Sequence, residues 1–130
     1  MSLRSLLWRW GPAVAWTTFI FALSATPGLK VSSDASVDGP LRHVAHMVVF
    51  AVLTVLIAHG LDALGRPLRL RTALVLAAVG VGYGVLDEIH QAFVPDRTAR
   101  LIDVGYDAIG VAVGLGFVWS SGRLGWRDRR

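Results

Sequence analysis

Cysteine is absent from the 130 residues. That excludes disulfides, a thiol nucleophile and a zinc–thiolate site, and leaves no redox clue to compartment. Lysine occurs once, at Lys30, so nearly every cation is an arginine. No internal repeat of roughly 20 to 50 residues is visible, and no low-complexity tract, so nothing points to a solenoid or a disordered linker.

Apolar residues are abundant instead, at 54% of the chain. A soluble domain of this size cannot bury so much apolar surface, because small domains bury the smaller fraction of theirs. Lipid can cover what a core cannot. The net charge is +4. The arginines lie between apolar runs, so they read as topology signals and lipid-phosphate contacts rather than a nucleic-acid surface.

A membrane-crossing helix needs about 20 mostly apolar residues. Four runs qualify: Trp10 to Leu29, uncharged and with Pro12 near its start; Val44 to Leu61, interrupted only by His46 and His59; Leu70 to Gln91; and Ile102 to Ser121. They predict an all-α, polytopic membrane four-helix bundle, one domain over 1–130, with helices at about 8–27, 42–61, 69–92 and 102–122. A cleaved signal peptide competes for the first run, given Arg4, Arg9 and Ala22-Leu23-Ser24-Ala25; the run is long for that and the small-residue pattern imperfect.

The last two runs are short. Thr72 to Leu86 is 15 residues, and extending it to a full crossing takes in Asp87, Glu88 and Gln91. Ala108 to Gly122 is also 15, and extending it takes in Asp107 and then Asp103. These acids are therefore expected at or inside the membrane boundary. Nine cations fall at the N-terminus, the middle loop (Arg66, Arg69, Arg71) and the tail; four fall in the other loops (Lys30, Arg42, Arg97, Arg100). The positive-inside rule then puts both termini in the cytoplasm, with Trp8, Trp10, Trp119 and Trp126 at that interface and Arg127, Arg129 and Arg130 as a lipid-surface anchor.

On that topology His43 and His46 open helix two, Asp87, Glu88, His90 and Gln91 close helix three, and Asp103 and Asp107 open helix four, all at the outer end. Arg97 and Arg100 lie in the loop between the last two. Asp103, Asp107, Gly110 and Gly114 share one helical stripe, and Gly80, Gly84, Asp87, Glu88 and Gln91 make another. Glycines in such stripes let helix backbones approach closely. A charged side chain at a bilayer centre costs about 2.5–3.5 kcal/mol on insertion scales, so acids kept here need partners, and intramembrane ionisable groups are functional-site candidates.

The stretch from Leu86 to Gly114, LDEIHQAFVPDRTARLIDVGYDAIGVAVG, closely resembles the signature of the VanZ-like family of bacterial membrane proteins. That signature has an acidic pair, His-Gln, Phe-x-Pro-x-Arg, an Asp, an Asn or Asp four residues later, and two spaced glycines. His46 takes the position of the histidine in the family's Asp-Lys-x-x-His; Leu41 stands where the acid is usual and Arg42 where the lysine is. Leu23-Ser24-Ala25-Thr26-Pro27 also resembles the family. The resemblance implies a multi-pass protein of the bacterial inner membrane. The founding member is linked to low-level teicoplanin resistance; that phenotype does not transfer with the motif, and the family supplies no reaction.

The residues leave several uses open. In the first, the outer site takes the anionic headgroup of an envelope lipid or lipid-linked cell-wall intermediate. His46, Glu88 and Asp107 are the candidate acid, base and orienting groups, Gln91, Arg97, Arg100, Asp103 and Asp87 the candidate binding groups, and Gly80, Gly84, Gly110 and Gly114 the packing positions. The bland alternatives are Asp103 as a helix cap, Arg97 as a lipid anchor, His46 bonded to a backbone carbonyl, and His59 with Asp62 as a local helix-end pair. The residues establish no cofactor, and one imidazole and three carboxylates, of His46, Glu88, Asp103 and Asp107, suit a divalent ion. Proton- or ion-coupled transport, or a structural accessory role with a copy of itself or another membrane protein, are the other classes.

Overall fold

The structure is a computed structural model describing residues 2–30 and 32–127, and it is helical with no strand among them. Its helices are α1 (Leu3–Ser24), α2 (Ala35–Gly60), α3 (Leu70–Gln91) and α4 (Leu101–Arg127). The expected four-helix bundle is present. Arg129 and Arg130, and the side chains of Trp126 and Arg127, lie outside what is described.

The helix starts differ from the hydropathy limits because polar caps outrun the apolar runs. Ser2 accepts from the Ser5 amide at 3.2 Å and starts α1 at Leu3. Asp34 accepts from the Ser36 amide at 2.9 Å and the Ser36 hydroxyl at 2.7 Å, starting α2 well before its first apolar stretch. Those two bonds, the hydroxyl's first, hold the Asp34 carboxyl below its ordinary pKa. Pro12 lies inside α1 and cannot bond the carbonyl of Trp8 one turn back. His59 Nε2 lies 3.3 Å from that carbonyl. The expected His59–Asp62 pair is thus replaced: Asp62 binds Arg66 at 2.6 Å instead.

Three helical segments are long and apolar enough to cross a membrane: Ser36–Gly60, Leu70–Gln91 and Leu101–Leu124. The latter two include Asp87, Glu88, Gln91, Asp103 and Asp107, as the short apolar runs require. α1 has 22 residues, about 33 Å at 1.5 Å each, but Trp8, Arg9, Trp10, Gly11 and Pro12 dilute its apolar character.

α2 and α4 run parallel and make the most extensive contact; α3 packs antiparallel against α4, and α1 lies on α2 and α3 without reaching α4. The glycine stripes set this spacing. A Cβ on Gly110 would strike the Met47 carbonyl oxygen, and one on Gly114 would lie 2.7 Å from Ala51 O and Thr54 Cβ. On α3, a Cβ at Gly80 would lie 2.6 Å from Val111 and one at Gly84 2.8 Å from Asp107 Oδ2. Below the polar end the interior is mostly apolar, with Phe50, Leu53, Ala58, Leu76 and Val118 buried and Thr54 donating to Phe50 O of its own helix. Leu74, Val113 and Phe117 face outward, as side chains against lipid would.

Gly110→Ala should lower stability by about 1–3 kcal/mol, the usual cost of overpacking, because its neighbour is backbone and cannot yield. Gly116→Ala, with open space around the position, should be neutral or stabilising. Thermal unfolding in detergent checks both.

Candidate functional site

The polar cluster lies where α1 and α3 end and where α2 and α4 begin. Because α2 and α4 are parallel, residues four apart on one meet residues four apart on the other. Arg42 Nη2 donates to Asp103 Oδ2 at 2.6 Å. One turn further in, His46 Nδ1 lies 2.8 Å from Asp107 Oδ1. Both aspartates are fully buried. The two pairs form successive rungs, and the Gly110 and Gly114 contacts continue the same seam inward. Asp103 falls in the first turn of α4, yet its side chain crosses to α2 rather than serving only as a local cap.

α3 supplies a second polar layer. Gln91 Nε2 donates to Asp87 Oδ2 at 2.8 Å, one turn back on its own helix. Glu88 Oε2 accepts from the Arg100 amide at 2.7 Å, which ties the end of α3 to the entry of α4. Arg97 reaches across to the end of α1 and the loop after it, donating to Leu23 O at 3.3 Å and Leu29 O at 3.5 Å. Burial first, and then the neighbouring Arg42 guanidinium, pull the Arg97 pKa below its ordinary value, against the opposing pull of Asp87, Glu88 and Asp103. Two guanidiniums are therefore crowded together at this end.

A cavity of about 310 Å³ opens between α1, α2 and α3. Its polar lining includes Lys30, Asp38, Arg42, His46, Asp87, Gln91 and Arg97, and its apolar lining includes Ile20, Leu23, Val49 and Phe50. Buried polar atoms around it lack partners in the protein: Ser24 Oγ, Gln91 Oε1, Arg42 Nε and Arg97 Nε. Such groups are costly to bury unless something satisfies them.

Of the sequence candidates, His46, Asp87, Gln91 and Arg97 line the cavity, and Asp107 stands behind His46. Asp103 stands behind Arg42, and neither it nor Glu88 lines the cavity. Arg100 joins through its backbone only; its side chain is exposed and off the cavity, so the expected paired arginine clamp on a ligand is not formed. Arg42 takes that place. In the sequence it figured only as a loop cation and as the residue at the family's lysine position. Ser24 and Lys30 were also missed, although Ser24 belongs to the Leu23–Pro27 stretch of the resemblance. His43 stacks on Tyr106 at 4.0 Å, and His90 on Phe21 at 4.5 Å.

Chemically, His46 lines the cavity and its ring is oriented through Nδ1 by Asp107, as an acid, base or ligand histidine needs. Donor atoms of His46, Glu88 and Asp103 lie within 4.8 Å of one another, the one such grouping among the described residues.

These features define a helical membrane protein with an ionisable cluster buried at one end of its bundle. The chain belongs to the VanZ/LLP1 family, whose model matches residues 5–122. No curated protein and no solved structure matches it.

Glu88→Ala should accelerate hydrogen exchange at the Arg100 amide by about 10-fold or more, since hydrogen bonds to charged groups contribute about 1.5–3 kcal/mol. Glu88→Gln keeps an acceptor oxygen and should stay near wild type. Amide-resolved exchange in micelles reads the difference.

Proposed function

We propose that this protein binds the anionic headgroup of an envelope lipid or lipid-linked cell-wall intermediate at the outer face of the bacterial inner membrane. The observation that carries this is a cavity whose lining is both cationic and apolar. Lys30, Arg42 and Arg97 outnumber Asp38 and Asp87 there, together with Ile20, Leu23, Val49 and Phe50, within about 310 Å³. A phosphate would accept from the unpartnered Nε atoms of Arg42 and Arg97 and relieve the crowding of their charges. An acyl chain would follow the apolar lining. His46, held by Asp107, is placed to exchange a proton with such a headgroup. The arginine asymmetry supports cytoplasmic termini, with α1 as a fourth crossing and this site on the opposite side.

Coupled transport is less well supported, because a relay needs polar groups along its length. The cytoplasmic half of the interior is instead lined by Leu53, Ile57, Ala58, Leu76 and Val118. An accessory role through the glycine faces meets a different obstacle. Gly80, Gly84, Gly110 and Gly114 are already covered within the chain, so those stripes are not free for a partner.

In nanodiscs, wild-type protein should prefer phosphatidylglycerol over phosphatidylcholine by native mass spectrometry. Arg97→Gln should reduce that preference about 10-fold, equivalent to about 1.4 kcal/mol. Lys30→Gln should reduce it less. Arg71→Gln, at the far end of the bundle, should leave it unchanged. Equal binding of both lipids by the wild type would remove the basis of the proposal.

A further inference from the structure

Four carboxylates are buried at the polar end: Asp87, Glu88, Asp103 and Asp107. Two guanidiniums, Arg42 and Arg97, stand among them, while Lys30 and Asp38 both line the cavity. With these carboxylates and guanidiniums ionised and His43 and His46 neutral, the buried set carries two negative charges in surplus. Charge buried without compensation is expensive, so something must neutralise it.

Two buried oxygens mark where. Glu88 uses Oε2 on the Arg100 amide, and its Oε1 has no partner. Asp103 uses Oδ2 on Arg42, and its Oδ1 makes no hydrogen bond, His43 Nε2 being 3.6 Å away. Glu88 is 5% exposed and Asp103 0%, so water does not serve these atoms from outside. His46 belongs to the same grouping, and because Asp107 engages its Nδ1 a metal ion would be taken by its Nε2.

We infer that His46, Glu88 and Asp103 form a site for a divalent transition-metal ion, with Asp107 fixing the imidazole. The donor atoms lie within 4.8 Å of one another. Ligands about 2.1 Å from a shared ion are at most about 4.2 Å apart, so small side-chain rotations close the set. One imidazole nitrogen and two carboxylate oxygens suit a hard-to-borderline ion such as Mn²⁺ or Zn²⁺. Asp107 on the other ring nitrogen is the carboxylate–histidine arrangement that orients metal-bound imidazoles. A dication cancels the surplus charge, and the two orphaned oxygens acquire a partner. The site does not depend on the headgroup reading, although the two share His46.

The test uses full-length protein in detergent, stripped with chelator and titrated with MnCl₂ and ZnCl₂ alone, without added lipid. Wild type should bind one equivalent and unfold at higher temperature when loaded. The Mn²⁺ form should show imidazole ¹⁴N coupling in pulsed electron paramagnetic resonance. Glu88→Gln and Asp103→Asn should each weaken binding at least 10-fold. Asp107→Asn should weaken it about 10- to 100-fold, the usual effect of losing the group behind a ligand histidine. Asp62→Asn, an exposed carboxylate elsewhere, should change nothing. Wild type that takes up neither ion, an Mn²⁺ complex without ¹⁴N coupling, or unchanged affinity in both ligand variants would overturn the proposal. The first result would mean that protons neutralise the cluster. If the variants fail to fold, the wild-type stoichiometry and coupling decide alone. Since lipid takes no part, failure here leaves the headgroup proposal standing.

Discussion

Two rungs between parallel helices organise this molecule. Arg42 with Asp103, and His46 with Asp107, join α2 to α4 at the end where both begin. Inside a bilayer boundary no bulk water competes for these groups, so each must find its partner in the protein. That requirement fixes the register of α4 on α2. The register in turn brings Gly110 onto Met47 and Gly114 onto Ala51, where nothing larger than hydrogen fits. One constraint therefore serves both the polar end and the apolar seam below it.

The consequences spread to the other helices. Gly84 admits α3 close to Asp107, which brings Glu88 and Gln91 to the level of the rungs. Glu88 then ties the loop entering α4, and Arg97 reaches from that loop to the end of α1. The space left between α1, α2 and α3 is the cavity. Two residues of its lining, Arg42 and His46, are held from behind by the α4 acids Asp103 and Asp107. Binding groups and structural groups are thus two layers of one network. In such an arrangement, removing a back-layer acid disturbs the front-layer residue it supports.

Much of this was legible in the sequence. Apolar runs of 15 residues cannot cross a bilayer, so Asp87, Glu88, Asp103 and Asp107 had to lie within helices. The i, i+4 spacing put the acids of α4 on one stripe with its glycines. The pairing across helices was not legible, because nothing in a single chain says that position 42 meets position 103. Arg42 looked like a substitute for a lysine, and Arg100 like a ligand group, since sequence shows side chains and hides an amide's hydrogen bond. The start of α2 was misplaced because Asp34 caps a polar turn that hydropathy ignores. α1 looked uniformly apolar because it carries no acid, though its tryptophans, Gly11 and Pro12 weaken it as a span.

A double-mutant cycle on the outer rung tests the central claim most directly. Arg42→Met, Asp103→Leu and the double variant would be compared by reversible unfolding in detergent. Breaking a buried pair from one side costs about 3–5 kcal/mol, and replacing both partners with apolar groups costs far less. The account predicts that the double variant is more stable than the two single losses together imply, by more than about 1 kcal/mol. Losses that add to within about 0.5 kcal/mol would mean that Arg42 and Asp103 act independently, and that the rungs do not hold α2 against α4.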